Sequence, residues 1–272
     1  MGIFNNLFDI DSRDNYAITG LNKELNSLYI YNYFIKNKKN NLVITNSLYE
    51  ANDVYNRLLN YTNKVLFFPM DDFITSEVTD ISPEFVIDRL TTLNKLLGSG
   101  KYIVVTNLMG ILRYLPNTKL YKNKIIDINK DMDIDRDDFI NKLFDLGYEK
   151  VPVVSRTGEM AIRGYVIDVF PIEFDNPIRI EFWGDIIDSI KYFDLEDQIS
   201  NTSVDSVKIY PYTEFLIDGK IGDNIIRKQK YLLNYSDSVS GLWDYVLDSV
   251  IFYYDYNQII NSYSLLRENI LE

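Results

Sequence analysis

Between residues 21 and 107 helical patterns and short β-rich runs take turns, and that alternation leaves few folds open. "LNKELNSLYIYNYFIK" (21–36) places Leu21, Leu25, Leu28 and Asn32 at helical spacing and leads into "NLVIT" (41–45), a run suited to a buried strand. "SLYEANDVYNRLLNY" (47–61) opens with Ser47 and Glu50 in capping-box order, then lines up Leu48, Ala51, Tyr55, Leu58 and Leu59 along one stripe. "KVLFFP" (64–69) is the next strand. "SPEFVIDRLTTLNKLLGSG" (82–100) offers Ser82 as cap, Pro83 at the first helical position and Gly98 as stop, and "KYIVVTN" (101–107) follows as a third strand. The pattern predicts an α/β domain with a mostly parallel sheet under covering helices.

From about residue 121 the texture changes. "DIDRDDFINKLFDLGY" (133–148) is one amphipathic helix, with Phe139, Ile140, Leu143 and Leu146 on its buried face and Gly147 at its end. Strands then come in succession: "KVPVVSR" (150–156), "EMAIRGYVIDVFP" (159–171), "NPIRIEFW" (176–183) and "IIDSIKYFD" (186–194). Their connections, "TG" (157–158), "EFDN" (173–176) and "GD" (184–185), are turn material. A run of strands behind one helix predicts an α+β module. After about residue 213 helical patterns return, and "DSVIFYYDYNQII" (248–260) holds one more hydrophobic strand, ending at Asp255. The expected layout is a split domain: residues 1–120 form its first part, 121–212 the insertion, and 213–272 the return.

Composition narrows the chemistry. The 272 residues are 46% hydrophobic and 14% aromatic, ample for a packed core. Twenty-eight Lys plus Arg against 40 Asp plus Glu leave a formal charge of −12, which opposes sequence-independent binding to a phosphate backbone. With neither cysteine nor histidine, disulfides, thiolate nucleophiles, Ser-His-Asp triads and the usual zinc sites are excluded. "DMDIDRDD" (131–138) resembles a calcium loop at a glance, yet lacks the central glycine and the closing glutamate, and reads as a solvated helix start. No apolar run approaches the roughly 20 residues that cross a bilayer, and "MGIFNNLFDIDSRD" is not patterned as a signal peptide. The expected address is the cytoplasm, with no membrane contact, no metal and no cofactor.

"TGLNKELNS" (19–27) falls where a phosphate-binding loop would sit in such a fold. Gly20 stands at the first glycine of G-x-x-x-x-G-K-[ST] and Ser27 at the hydroxyl position, but Leu25 replaces the second glycine and Asn26 the lysine. Without the lysine the charge-assisted phosphate contact is lost, and leucine adds a Cβ where the backbone must approach closely. At the far end "VIFYYDYN" (250–257) gives Asp255 followed by Tyr256 where a magnesium-binding, water-activating pair would read Asp-Glu. The stretch is either the remains of a phosphate loop or an ordinary loop-to-helix start; under both readings ATP hydrolysis is not expected, and no residue is assigned a catalytic role.

"GYEKVPVVSRTGEMAIRGYVIDVFPIEFDNPIRIEFWGDIIDSIKYFDLEDQIS" (147–200) resembles the second domain of the amino-terminal UvrB-homology module in the bacterial transcription-repair coupling factors. The resemblance runs through G-Y-x-R, where this chain has Lys150 at the arginine, the R-G-x-x-[ILV]-D-[ILV]-[FY]-P core and P-x-R-[ILV]-[ED]-x-F, and reaches "LFFPMDDFITSEVTDISPEFVIDRLTTLNKL" (66–96) and "KIYPYTEF" (208–215). It implies a degenerate P-loop, RecA-like domain split by the insertion. It also implies a non-hydrolysing mimic of UvrB that docks on UvrA and recruits excision repair to stalled RNA polymerase. Other domains of the parent coupling factor are further implied partners; RNA polymerase and DNA are partners only through the remainder of that protein. Two alternatives are an ATP-dependent, UvrB-like DNA damage-recognition or helicase protein, and an autoinhibitory clamp on the parent's motor domains.

By the same resemblance, docking on UvrA falls to Lys150, Arg163 and Arg179. Ala161 stands where UvrB has another arginine, and Lys150 itself replaces one. Alternation along "AIRGYVIDVF" (161–170) puts Arg163, Tyr165 and Ile167 on one side, and along "PIRIEFW" (177–183) it puts Arg179, Glu181 and Trp183 together. Arginine beside tyrosine and tryptophan is the composition of binding hot spots, and on an acidic molecule it would meet an acidic partner patch. The plainer reading pairs Arg163 and Arg179 across strands with Glu181 or Asp168. Arg89 reads as a helix-surface residue or the anchor of a buried pair.

Overall fold

The computed structural model describes residues 16–72, 82–219, 232–236 and 238–271. Part of the aromatic-proline segment (73–81) and of the returning helical pattern (220–231) therefore lies outside the described residues. The chain divides into two compact units, residues 1–113 with 241–272 and residues 114–240, so the second is a continuous segment between two pieces of the first.

The first unit begins with α1 (Lys23–Asn37), β1 (Asn40–Thr45), α2 (Leu48–Leu59), β2 (Val65–Phe68), α3 (Pro83–Leu96), β3 (Ile103–Asn107) and α4 (Leu108–Ile111). It resumes later in the chain with α8 (Leu242–Tyr245), β14 (Ser249–Tyr253) and α9 (Tyr256–Leu271). All paired strands here are parallel, in the order β14-β1-β3-β2. Every residue of β1, β2 and β3 is buried, as strands covered on both faces must be. Ile30, Phe34, Ala51, Val54 and Leu58 of α1 and α2 pack on Val43, Val65, Phe67, Ile103 and Val105. Ser47 and Glu50 form the capping box, each side chain accepting from the other's end of the first turn. Ser82 sits at the cap position of α3 but makes no side-chain cap bond, and Pro83 starts the helix. Arg89 is buried within that helix and donates to the Pro69 carbonyl at 3.0 Å.

The second unit runs through β4 (Leu115–Pro116), α5 (Thr118–Lys124), β5 (Ile126–Asn129), α6 (Arg136–Asp145), β6 (Glu149–Lys150), β7 (Glu159–Arg163), β8 (Val166–Val169), β9 (Ile178–Trp183), β10 (Ile186–Phe193), β11 (Ser200–Ser203), β12 (Ser206–Ile209), α7 (Leu232–Tyr235) and β13 (Val239–Ser240). Its main sheet has the order β11-β10-β9-β8-β7-β6, antiparallel except for the β6–β7 pair. Phe139 and Leu143 of α6, with Leu146 at its C-cap, pack on one face of it, against Met160, Ile167, Val169, Ile178, Ile180 and Phe182. Asp135 caps this helix, its Oδ1 accepting from the Asp138 amide at 2.7 Å, so only the end of the acidic run starts the helix; residues 131–134 instead pair with the 185–187 segment, and the helix is shorter than the expected 133–148.

Two strand assignments need correction. "KVPVVSR" joins the sheet only at its start, where Lys150 pairs with Met160 and the Val151 amide donates to the Met160 carbonyl. Pro152 has no N–H to give a ladder, and the following residues form a loop. "EMAIRGYVIDVFP" is two strands, because Gly164 adopts φ 59° and makes a tight hairpin turn with Tyr165.

The chain then returns to the first unit through α8 (Leu242–Tyr245), β14 (Ser249–Tyr253) and α9 (Tyr256–Leu271). β14 joins the parallel sheet beside β1, in register from Asn40 and Ser249 to Ile44 and Tyr253. It ends at Tyr253 rather than Asp255. Asp255 instead caps α9, with its Oδ1 accepting from the Gln258 amide at 3.1 Å.

Candidate functional site

The sheet face away from α6 carries a row of charged residues: Arg163, Asp168, Arg179, Glu181 and Lys191. Cross-strand register sets Ala161 opposite Asp168 and Asp168 opposite Arg179, while Arg163 faces Val166 and Val166 faces Glu181. Asp168 is only 1% exposed and serves two arginines. Arg179 donates from Nε to its Oδ1 at 2.7 Å and from Nη2 to its Oδ2 at 3.1 Å. Arg163 donates from Nη2 to the same Oδ2. A bare carboxylate at this depth would be costly, and two guanidinium partners offset that cost.

Arg179 is tied down on its other edge too, with Nη1 donating to the Gln198 carbonyl at 3.1 Å, and its side chain is 16% exposed. Asp168 raises its already high pKa further, chiefly through the hydrogen bond. Arg163 differs: its side chain is 47% exposed. One strand over, Glu181 accepts from Lys191 Nζ at 2.7 Å and from the Ser189 hydroxyl at 2.5 Å, and these bonds, Lys191 first, hold its carboxyl below the usual range.

Two hairpin tips adjoin this row. The Phe182 amide donates to the Tyr165 carbonyl at 2.9 Å, which fixes one tip beside the strand leading to the other. Tyr165 and Trp183 are 66% and 81% exposed there, an unusual state for large aromatics. Alternation in "PIRIEFW" holds, with Arg179, Glu181 and Trp183 on the outer face. Alternation through "AIRGYVIDVF" does not. After a two-residue turn the facing pairs become 163–166 and 162–167, so odd positions that point outward on β7 point inward on β8. Ile167 is consequently fully buried in the core and is not available to a partner. Lys150 is exposed on the edge strand, in register with core-facing Met160, so register sets it on the other face from Arg163.

The second candidate locus lies at the carboxyl end of the parallel sheet, where open α/β sheets bind their ligands. Gly20 has φ 83° in an exposed bend. Asn22 caps α1, its Oδ1 accepting from the Leu25 amide at 2.9 Å, and the Asn26 amide donates to the Asn22 carbonyl, so Leu25 and Asn26 lie inside the helix. Ser27 is buried and its hydroxyl donates to the Lys23 carbonyl at 3.2 Å. Lys23 reaches Asp53 of α2 at 3.2 Å, which brings the start of α1 to the sheet end where Asp255 and exposed Tyr256 follow β14. The amino end of α2 at the same place is occupied by the protein's own acceptors: Glu50 takes the Asn46 and Ser47 amides, and both Asp72 oxygens take the Leu48 amide at 2.9 and 3.1 Å.

Comparison with known proteins follows the same division. The family model for the UvrB interaction domain matches residues 126–215. The transcription-repair-coupling factor of Staphylococcus haemolyticus (strain JCSC1435) is 34% identical over 216 residues, covering 79% of this chain and 18% of that protein. That of Staphylococcus epidermidis (strain RP62A) is 31% identical over 235 residues, 86% of this chain and 20% of that protein. The Staphylococcus aureus (strain USA300) protein is 32% identical over 220 residues, 80% and 19% respectively. This chain thus spans a fifth or less of the length of these relatives.

The family match over residues 126–215 marks a protein-interaction module, a UvrB interaction domain. Similarity over most of its length places the chain with the transcription-repair-coupling factors, as their amino-terminal UvrB-homology module. Sequence reading passed over Phe193 and Gln198, which hold Arg179, and offered Asp168 only as one possible partner of the arginines. The signal for Asp168 was an acid at an outward position between apolar residues in "VIDVF".

Proposed function

We propose that the chain is a non-catalytic adapter: it binds UvrA through the outer face of its UvrB interaction domain and, as part of a coupling factor, recruits nucleotide excision repair to stalled RNA polymerase. The observation that carries this reading is the exposed grouping of Arg163, Tyr165 and Trp183 on the domain that matches the family model. Exposed aromatics beside an arginine held by a buried carboxylate are a hot-spot arrangement. Among Arg163, Asp168, Arg179, Glu181 and Lys191 the charges leave one net positive, on a chain whose formal charge is −12. RNA polymerase and DNA contacts belong, in this proposal, to the remainder of the coupling factor.

The parallel-sheet unit is, in the same proposal, a degenerate P-loop, RecA-like domain that scaffolds the adapter. The parallel order β14-β1-β3-β2, and the amino end of α2 that follows β1 and is capped by Glu50 and Asp72, support that reading, whereas the Asn22-capped start of α1 is an ordinary loop-to-helix start. The test is calorimetric titration of purified UvrA with wild type and Arg163→Ala. Affinity is expected to fall at least about tenfold in the variant, with the thermal midpoint retained. Equal affinities would remove the role given to Arg163.

A further inference from the structure

Arg163 and Arg179 are alike in sequence context but not in what they have left to offer. Arg179 spends Nε and Nη2 on Asp168 and Nη1 on the Gln198 carbonyl, and its guanidinium lies over the Phe193 ring. Both its edges and one of its faces are engaged inside the domain. Arg163 makes its contact with Asp168 through Nη2 alone; among the described residues Nε and Nη1 donate to no other group, and the side chain is 47% exposed. Asp168 itself, at 1% exposure, cannot touch a partner.

We infer that Asp168 is a positioning residue for the partner contact: it aims the Arg163 guanidinium outward, and Arg179 is its second clamp and not a direct contact. This rests on the reading of the outer face as the UvrA-binding surface. The physical basis is preorganisation. A long arginine side chain free in solvent must lose rotamer entropy on binding, whereas one already held by a buried carboxylate loses less. Arg179, stacked and doubly bonded, in turn fixes the carboxylate, so that both Asp168 oxygens are directed.

A double-mutant cycle on the full chain separates positioning from simple structural support. Wild type, Arg163→Ala, Asp168→Asn and the double variant are titrated into purified UvrA at one ionic strength, each checked for its thermal midpoint. Asp168→Asn is expected to weaken binding about tenfold in the wild-type background and less than about twofold in the Arg163→Ala background. An equal loss in both backgrounds would mean that Asp168 merely supports the sheet, and would overturn the inference. If Asp168→Asn does not fold, Arg179→Gln takes its place in the cycle. Its loss is likewise expected to vanish without Arg163; a loss that persists makes Arg179 a direct contact and overturns its role as a clamp. Should Arg163→Ala bind UvrA as well as wild type does, the assignment of the surface fails first, a result distinct from additivity that removes the inference with it.

Discussion

The Arg179 guanidinium carbon stands 4.5 Å from the centre of the Phe193 ring. Phe193 is fully buried, packed with Val154, Ala161 and Phe170 in a small cluster on the outer side of the sheet. The flat cation therefore closes an apolar patch with one face while its edges serve Asp168 and Gln198. Only a planar, delocalised cation does both at once. Arg179→Lys keeps the charge and loses the second bond to Asp168 and the stacking, so it is expected to destabilise the domain by about 1–3 kcal/mol. Urea unfolding followed by circular dichroism measures this; an unchanged midpoint would show that a point charge suffices.

The Glu159 carboxylate organises the loop that replaces the expected strand. Its Oε2 accepts from the Ser155 amide at 2.7 Å, the Ser155 hydroxyl at 2.9 Å and the Arg156 amide at 3.0 Å, while Oε1 takes Arg156 Nε at 3.0 Å. Burial alone would raise its pKa, but these donors prevail and hold it below the ordinary carboxylate range. A carboxyl depressed in the folded state adds stability that is present above its unfolded pKa and is lost as pH falls through the folded value. Stability measured by urea unfolding should thus decline below the ordinary carboxylate range in wild type, and decline less steeply in Glu159→Gln. Parallel curves for the two proteins would remove the contribution assigned to Glu159.

Much of the architecture was legible because its causes are local. The alternation of 3.6-residue and two-residue periods announced β1, β2 and β3 and their helices, and Ser47 with Glu50 announced the start of α2. The outward set Arg179, Glu181 and Trp183 was legible for the same reason, since β9 has no turn to reset its parity. What stayed hidden depended on a backbone dihedral or on distant partners. Gly164 at φ 59° converts one apparent strand into a hairpin and sends Ile167 inward. Arg179 meets Gln198 and Phe193 only because β10 folds back beside β9.

Gly158 shows the same dependence on distant structure. It has φ 90°, and a Cβ at that position would run into the Tyr212 ring, far along the chain. Left-handed backbone and a steric clash act together, so Gly158→Ala is expected to cost more than about 1 kcal/mol, beyond any gain from restricting the unfolded chain. Differential scanning calorimetry should show a lower midpoint. A midpoint equal to or above that of wild type would mean that the loop shifts to make room.

Ile167 and Trp183 separate stability from recognition on neighbouring strands. Ile167 is fully buried against the α6 side of the sheet, so Ile167→Ala removes apolar contact and leaves a cavity, with an expected loss of about 2–5 kcal/mol. Trp183 is 81% exposed, so its removal takes little from the fold; Trp183→Ala should leave the unfolding midpoint in place. Binding should respond in the opposite order. On the proposed surface Trp183 contributes a large rigid apolar anchor at the β9–β10 hairpin tip, and its truncation is expected to weaken UvrA binding by about 1–3 kcal/mol. Ile167→Ala, titrated at a temperature where it remains folded, should bind within about twofold of wild type. Two titrations and two melts therefore suffice: a Trp183→Ala protein that binds UvrA normally would move the contact off the outer face, while a selective binding defect in folded Ile167→Ala would place it on the side of α6.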